Sequence, residues 1–539
     1  MKFLNHRLLL TIIFFLAVFL RFQNINTNPP HLNWDETALG YNAYSLSIDL
    51  RDEFGRFLPL DYLESFGDFK PVMYSYLDAI PIKIFGLTPF AVRFPSALIG
   101  SLTVLATYFL VLQLFYKSKD KYAIAAVSSL ILAVSPWHIM LSRAAFEANI
   151  ATFFIILGTY FFLVFVNRNK WAIILSAVFF VLSIYTFNTA RVVAPLLVIV
   201  LSAVFLEKIL TNKKQVAIAI LLGVLMLLPI VRFLNSPQAA LRFKEVNIFS
   251  DLSVIEISNK RIQNDNYSIL SKVINNRRVL FAREYISHYL DNFSPNFLFI
   301  KGDGNPRFST QDLGQLYLWD LPFLIAGLLF LFQKKEGHYY LIPLILLIGI
   351  IPAGTARETP HALRIENSLP YFQIIIAYGF WQIYKIIKQK RLFFVFAGIL
   401  LATNALYFLH GLFTHYPREY SQEWQYQYKD SVSYVSQNKD KYDLISITNE
   451  VGRPYIYYLF FTKHNPSDFR KSAKIKRDAY GFVTVESFDK YYFSSNVLDV
   501  KKNGKILYID IPGNVPKGAH VEKEFNLLSG KAGLVAYTL

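Results

Sequence analysis

The stretch Leu8-Leu9-Leu10-Thr11-Ile12-Ile13-Phe14-Phe15-Leu16-Ala17-Val18-Phe19-Leu20 is an apolar run behind a basic start, Lys2 and Arg7. Such a start resembles a signal peptide, but no small-x-small cleavage pattern follows; the next residues are Arg21-Phe22-Gln23-Asn24. The run therefore reads as an uncleaved first membrane span. Just beyond it stands Asn33-Trp34-Asp35-Glu36, two adjacent carboxylates that open the first long loop. Paired acids at the mouth of a membrane bundle point to chemistry at the membrane surface.

Composition agrees with a membrane protein. Of 539 residues, 54% are hydrophobic, 17% aromatic and 17% charged, whereas soluble domains carry about 25% charged residues. The formal charge of +17 does not call for a nucleic-acid partner. Lys and Arg cluster between apolar runs, where the positive-inside rule puts them. With no Cys in the chain, disulfides, thiolate metal sites and Cys nucleophiles are excluded.

A spanning helix needs about 20 mainly apolar residues. Eleven segments come close, near 8–22, 92–115, 122–139, 148–166, 171–187, 192–208, 216–233, 318–333, 339–353, 368–386 and 392–409. Threading all eleven puts Lys2/Arg7, Lys117/Lys119/Lys121, Arg168/Lys170, Lys208/Lys213/Lys214, Lys334/Lys335 and Lys385/Lys388/Lys390/Arg391 on one side. That side is the cytoplasm by the same rule. The expectation is a polytopic α-helical protein of the plasma or inner membrane, with a cytoplasmic N-terminus and an extracytoplasmic C-terminus. Residues 1–409 form the transmembrane domain, with outer loops 23–91 and 234–317.

The tail, 410–539, has soluble character. Tyr420 to Gln437 reads as a helix, and Tyr442 to Thr448 as a buried strand. Gly481 to Val485, Ile506 to Ile511 and Gly533 to Tyr537 read as further strands, with Asn503-Gly504 as a turn. A small α/β domain is expected. In the first outer loop, Thr37 to Ile48 has the spacing of an interfacial helix, Asp52 to Pro59 with Gly55 is a turn, and Pro71 to Phe85 lies along the membrane.

The outer face collects the chemistry-bearing residues. Asp35 offers a carboxylate that could accept a proton from a hydroxyl, or could instead cap the helix that begins near Thr37; Glu36 stands beside it. Asp68-Phe69-Lys70-Pro71 sets an acid two residues from a cation, with Lys70 as a point charge for phosphate or a snorkelling headgroup contact. Arg143 and Glu147 have the i,i+4 spacing of a helical ion pair, yet ionisable groups near hydrocarbon tend to be functional. Arg191 follows a tight outer turn, and Pro360-His361-Ala362-Leu363-Arg364 adds His361 and Arg364. Lys70, Arg143, Arg191 and Arg364 are thus cations on the face that carries Asp35, suited to hold a phosphate and offset charge on a leaving group. Gly302-Asp303-Gly304-Asn305-Pro306-Arg307-Phe308 lacks the Lys-Ser/Thr and the strand–helix context of a phosphate loop and reads as a structural turn. No metal signature is present; His31 near Asp35 and Glu36 is a weak ligand case. A hard divalent ion on Asp35, Asp68 or Glu147 stays open as a cofactor.

Together these residues resemble the GT-C glycosyltransferases that use polyprenyl-phosphate sugars, in the branch of protein O-mannosyltransferases and lipid A aminoarabinose transferases. The carriers are Trp34-Asp35-Glu36, Asp68-Phe69-Lys70-Pro71, Phe90-Ala91-Val92-Arg93-Phe94-Pro95-Ser96, Leu141-Ser142-Arg143 and Pro360-His361-Ala362-Leu363-Arg364, over about residues 1–409. The resemblance implies a GT-C fold with a polyprenyl-phosphate-linked sugar as donor and a hydroxyl acceptor on protein, lipid or envelope glycan. It implies that Asp35 is the general base and that Lys70, Arg191 and Arg364 bind the lipid phosphate, with Arg143 and His361 as further candidates. Sugar transfer would be a single inverting displacement that needs one base, unlike the carboxylate pair of a glycosidase. Two departures stand out. Phe69 separates acid from Lys and Val72 replaces a second Pro, and the loop 234–317 is too short for a β-trefoil domain.

Two other classes compete. A transporter or lipid flippase would place ionisable residues deep in the spans or show internal repeats, whereas here the candidates cluster at outer ends. A non-catalytic anchor displaying the tail would leave the same residues scattered.

Overall fold

A computed structural model describes residues 6–236, 239, 247–478, 482–500 and 504–539. Packing divides the chain into two compact units. The first comprises Met1–Leu20, Ile99–Leu141 and Glu147–Phe408; the second comprises Arg21–Leu98, Ser142–Phe146 and Leu409–Leu539. The division expected at 410 follows chain order, whereas packing groups most of the first outer loop with the tail.

The first unit is helical. Each of the eleven apolar segments coincides with a helix, but the expected eleven spans are reached only in part. Among the described residues, four helices are long and apolar enough to cross a membrane: Pro89–Leu114, Glu147–Asn167, Lys213–Leu234 and Lys390–Glu419. A fifth span results if Lys121–Val134 and Pro136–Arg143, bent by 57° at Ser135, count as one. The remaining helices are shorter, among them Ala172–Ile184 with 13 residues and Leu341–Ile350 with 10. Only 22% of the apolar window of Lys213–Leu234 and 11% of that of Lys390–Glu419 are buried by protein. Leu221, Val224, Leu225, Leu228, Val395 and Ile399 face outward, as lipid contacts do in a membrane protein. Asp320–Lys334 and Tyr371–Ile386 meet through glycines. A Cβ on Gly327 would sit 2.0 Å from the Ile375 carbonyl oxygen, and one on Gly379 2.0 Å from that of Phe323. Small residues permit this close approach.

The second unit combines the helix Trp34–Asp49, a hairpin of β1 (Leu63–Ser65) and β2 (Asp68–Lys70), the helix Met73–Phe85 and the tail's sheet. Trp34–Asp49 is buried along most of its length, from Glu36 to Leu46, so it is a core helix rather than the interfacial one expected. It packs beside Pro454–Phe461, and a Cβ on Gly40 would meet the Phe460 ring at 2.8 Å. Gly55, at φ +97°, makes the expected turn.

Among the described residues the tail forms a seven-stranded mixed sheet of β3 (Leu444–Thr448), β4 (Lys474–Arg477), β5 (Val483–Phe488), β6 (Tyr491–Ser494), β7 (Ile506–Asp510), β8 (His520–Asn526) and β9 (Ala532–Thr538). The order is β4-β5-β6-β3-β7-β9-β8, with β3 parallel to both β6 and β7. Apolar β3, β5, β7 and β9 match the expected strands; Gly481 and Asn503 lie outside the described residues. The expected helix at Tyr420 starts later, at Gln427. Edge strands β4 and β8 had no apolar alternation to announce them: Lys-Ile-Lys-Arg is exposed throughout, and His-Val-Glu-Lys-Glu-Phe-Asn nearly so. Charged edges of this kind discourage further strand pairing.

Candidate functional site

The motif at the start of Trp34–Asp49 is built by a capping box. Asn33 Oδ1 accepts hydrogen bonds from Asp35 N at 2.8 Å and Glu36 N at 3.0 Å, and Glu36 Oε2 accepts from Asn33 N at 3.1 Å. Asn33 is therefore the helix cap in place of Asp35, and the Asp35 side chain is released from that duty.

Glu36 turns inward. Its side chain and that of Arg93 are 0% exposed and joined at 2.9 Å. Glu36 Oε1 also accepts from Ala145 N at 2.9 Å. Arg93 Nη1 donates to the carbonyls of Ile25 and Pro29, and Nη2 to the carbonyl of His31 and to Glu36 Oε2. The five donors of the guanidinium are thereby spent, and its carbon lies 5.6 Å from the Trp424 ring. Arg93 carried no assigned role in the sequence reading, although a charge in the first turns of an apolar segment is a recognisable signal.

Asp35 turns outward. Its side chain is 45% exposed, and Oδ1 accepts from Lys70 Nζ at 2.5 Å, while the Lys70 side chain is only 8% exposed. The hairpin delivers Lys70. Ser65 pairs with Asp68 and Leu63 with Lys70, so the two-residue turn is Phe66-Gly67, with φ of 63° and 83°. Turns of this hand favour Asn-Gly. A bulky aromatic there costs about 1–3 kcal/mol, which the packing of Phe66 against Tyr455 helps to offset. Asp68 stands at the start of β2, across from Ser65 and two residues from Lys70.

The Arg143–Glu147 spacing does not lie on one helix. Pro136–Arg143 ends at the Arg, and Glu147 begins the next helix, so the expected i,i+4 geometry is absent. Buried Arg143 donates to the carbonyls of Gln23 and Asn28, both at 2.7 Å, and stacks over Phe413. It clamps the chain that leaves the first helix.

In the first unit, the turn Gly302–Phe308 is held to Pro360–Arg364 by Asp303. Its Oδ2 accepts from Ala362 N at 2.6 Å, and its Oδ1 from Asn305 N at 2.8 Å. His361 Nδ1 is 3.9 Å from Asp303 Oδ2. Burial, aided by Arg364, lowers His361 to about 3, and burial raises Asp303 to about 6. His361 therefore favours the uncharged ring, which can offer phosphate an N–H donor rather than a charge. Arg364 donates to the Glu358 carbonyl at 2.9 Å. Arg191 opens the helix Ala190–Val204, with its guanidinium 5.5 Å from the Phe233 ring.

His31 is buried and stacked on Tyr457 and Phe461, and burial lowers it to about 3. Among the described residues no three His, Asp or Glu gather as metal ligands. A group the sequence reading passed over is Glu53, which lies beneath the hairpin. Its backbone N donates to Asn42 Oδ1 at 2.9 Å, and burial raises its carboxyl to about 8 against the pull of the Tyr455 hydroxyl beside it.

Residues 11–247 match the family described as dolichyl-phosphate-mannose-protein mannosyltransferase. The fold is shared with ArnT from Cupriavidus metallidurans. The apo structure aligns at TM-score 0.53 and 12% identity over 98% of this chain and 97% of that one. The structure bound to undecaprenyl phosphate aligns at TM-score 0.54, 12% identity and the same coverage. An Archaeoglobus fulgidus oligosaccharyltransferase in the apo form aligns at TM-score 0.48 and 10% identity, over 85% of this chain and 64% of that one. No curated protein sequence matches the chain.

Proposed function

We propose that this protein is an integral-membrane glycosyltransferase that moves a sugar from a polyprenyl-phosphate carrier to a hydroxyl acceptor at the extracytoplasmic face. One observation carries the reading: within the matched segment, the half-exposed carboxylate of Asp35 is held at 2.5 Å by the nearly buried ammonium of Lys70. Asp35 takes the proton of the acceptor hydroxyl. The freed oxygen attacks the anomeric carbon from the face opposite the phosphate. The bond from that carbon to the phosphate oxygen breaks, and polyprenyl phosphate leaves with the electron pair. Lys70 offsets the charge that grows on the leaving phosphate. Glu36 and Arg143 act as positioning residues, because their polar atoms are engaged inside the fold. The eleven-span topology with the tail outside belongs to the same reading. It can be tested by single cysteines placed in this Cys-free chain at Lys119 and Lys523 and labelled from either side.

The deciding experiment is transfer by purified protein in detergent, with polyprenyl-phosphate-mannose as donor, beside Asp35→Asn. Release of polyprenyl phosphate by the wild type, nearly lost in the variant, supports the reading. Equal release from both removes Asp35 from the mechanism, and no release with any sugar or acceptor returns weight to a transporter or anchor.

A further inference from the structure

The tail contains a small open cleft of about 130 Å³ whose walls include Asn449, Gly452, Arg453, Tyr455 and Thr484. Two contacts tie it to the catalytic motif. A Cβ on Gly452, at φ +99°, would lie 2.8 Å from the Trp34 ring, so this wall rests on the residue before Asp35. Arg453 stacks over Phe66 at 5.4 Å, and Lys70 Nζ lies 5.8 Å from the centroid of the same ring. Phe66 itself is pinned by its left-handed turn and by Val483 N donating to its carbonyl at 3.3 Å.

One cation at the cleft has no acid of its own. Among the described residues Arg453 makes no hydrogen bond or ion pair, and the side chains of Asn449 and Thr484 make no hydrogen bonds. Nearby acids are otherwise committed: Glu64 is paired with Arg477 at 3.0 Å, and Glu53 is buried away from water. Both cations thus lie beside the Phe66 ring, but Lys70 is already paired with Asp35, which leaves Arg453 as the cation without an acid partner. A guanidinium beside a ring and outside any ion pair keeps N–H groups free for a planar or tetrahedral oxyanion. The geometry points to this cleft as the acceptor subsite, in which Arg453, with Asn449 and Thr484, binds a carboxylate or phosphate carried by a sugar-like hydroxyl acceptor and presents its hydroxyl toward Asp35. This deepens the glycosyltransferase reading and rests on it for the word acceptor, although the anion site itself does not.

The test uses full-length protein in detergent and three probes: methyl glucuronide, glucose 6-phosphate and uncharged methyl glucoside. Binding is followed by tryptophan fluorescence, since Trp34 borders the cleft. The expected result is binding of one or both anions at least tenfold tighter than the glucoside, a loss of at least tenfold in Arg453→Ala, a smaller loss in Thr484→Val, and retention in Lys70→Ala. Whichever anion binds more tightly identifies carboxylate or phosphate as the recognised group. Unchanged melting temperatures of the variants establish that they fold; if Arg453→Ala does not, Arg453→Gln replaces it. Anion binding lost in Lys70→Ala but kept in Arg453→Ala would overturn the inference, as would equal affinity for the glucoside or no binding at all. The glycosyltransferase reading fails separately. Absence of donor turnover in the wild type, with Arg453-dependent anion binding intact, would remove the reading and leave the anion site.

Discussion

Asp35 and Glu36 are neighbours in sequence, yet the rim around the first and the interior around the second follow different electrostatic rules. At the rim, an ion pair stands partly in water beside the hairpin. Such a pair contributes about 0–1 kcal/mol to stability, so its charges remain available for chemistry. In the interior, Glu36 and Arg93 are closed to solvent and fully hydrogen-bonded. A buried pair adds little over an apolar one, but breaking it exposes the full desolvation cost of the charge left behind. One dipeptide therefore supplies a solvent-facing carboxylate, the base of the proposed reaction, and a buried strut. The lesson is that an acid in a motif is assigned by its partners and its access to water, and not by its place in the motif.

The sharpest way to break this contrast is to cut the interior pair. Glu36→Ala or Arg93→Ala is expected to destabilise the second unit by about 3–5 kcal/mol, read as loss of folded protein in detergent by size-exclusion chromatography and by thermal melting. Asp35→Asn is expected to do the opposite: a rate loss of about 10²- to 10⁴-fold with a melting temperature close to wild type. If Asp35→Asn instead melts as early as Arg93→Ala, the rim pair is structural and the contrast falls.

A third prediction probes a buried acid between these extremes. Glu53 is raised from 4.5 to about 8 by burial. The folded state thus binds its proton more tightly than the unfolded state does. The stability it contributes is complete below about pH 4.5 and is lost as pH rises through about 8. Glu53→Gln should flatten that pH dependence of the melting temperature and raise stability at pH 9 relative to wild type. An unaltered slope would show that Glu53 titrates as an ordinary surface acid. The mildest expected effect is that of Asn33→Ala, which removes the cap above both acids and should cost about 1 kcal/mol, with a fall in turnover smaller than that of Asp35→Asn.

Much of the helical body could be read directly, because a lipid environment writes itself into composition. Every apolar segment named from the sequence is a helix. Span number was harder to judge, since hydropathy registers apolar length without regard to whether the helix is broken, as at Ser135, or short. In the tail, four strands with apolar cores announced themselves, but the short β6 and the charged edge strands β4 and β8 did not. At the site, Asp35 and Lys70 were named and do meet. The continuous helix assumed from Arg143 to Glu147 is interrupted by a chain break that a linear spacing does not record.

By itself, then, the sequence determined the membrane-embedded helical class, the order of the motifs and the residue types available for phosphate and proton chemistry. These follow from local composition and from the energetic demands of hydrocarbon. Only the tertiary structure decided which carboxylate faces water, that Arg93 spends its donors on Glu36 and three carbonyls, and that the tail's Arg453 and the hairpin's Lys70 share one aromatic ring. Those outcomes depend on groups far apart in the chain being brought within a few ångströms. At that range desolvation and pairing, rather than residue type, set what a charge can do.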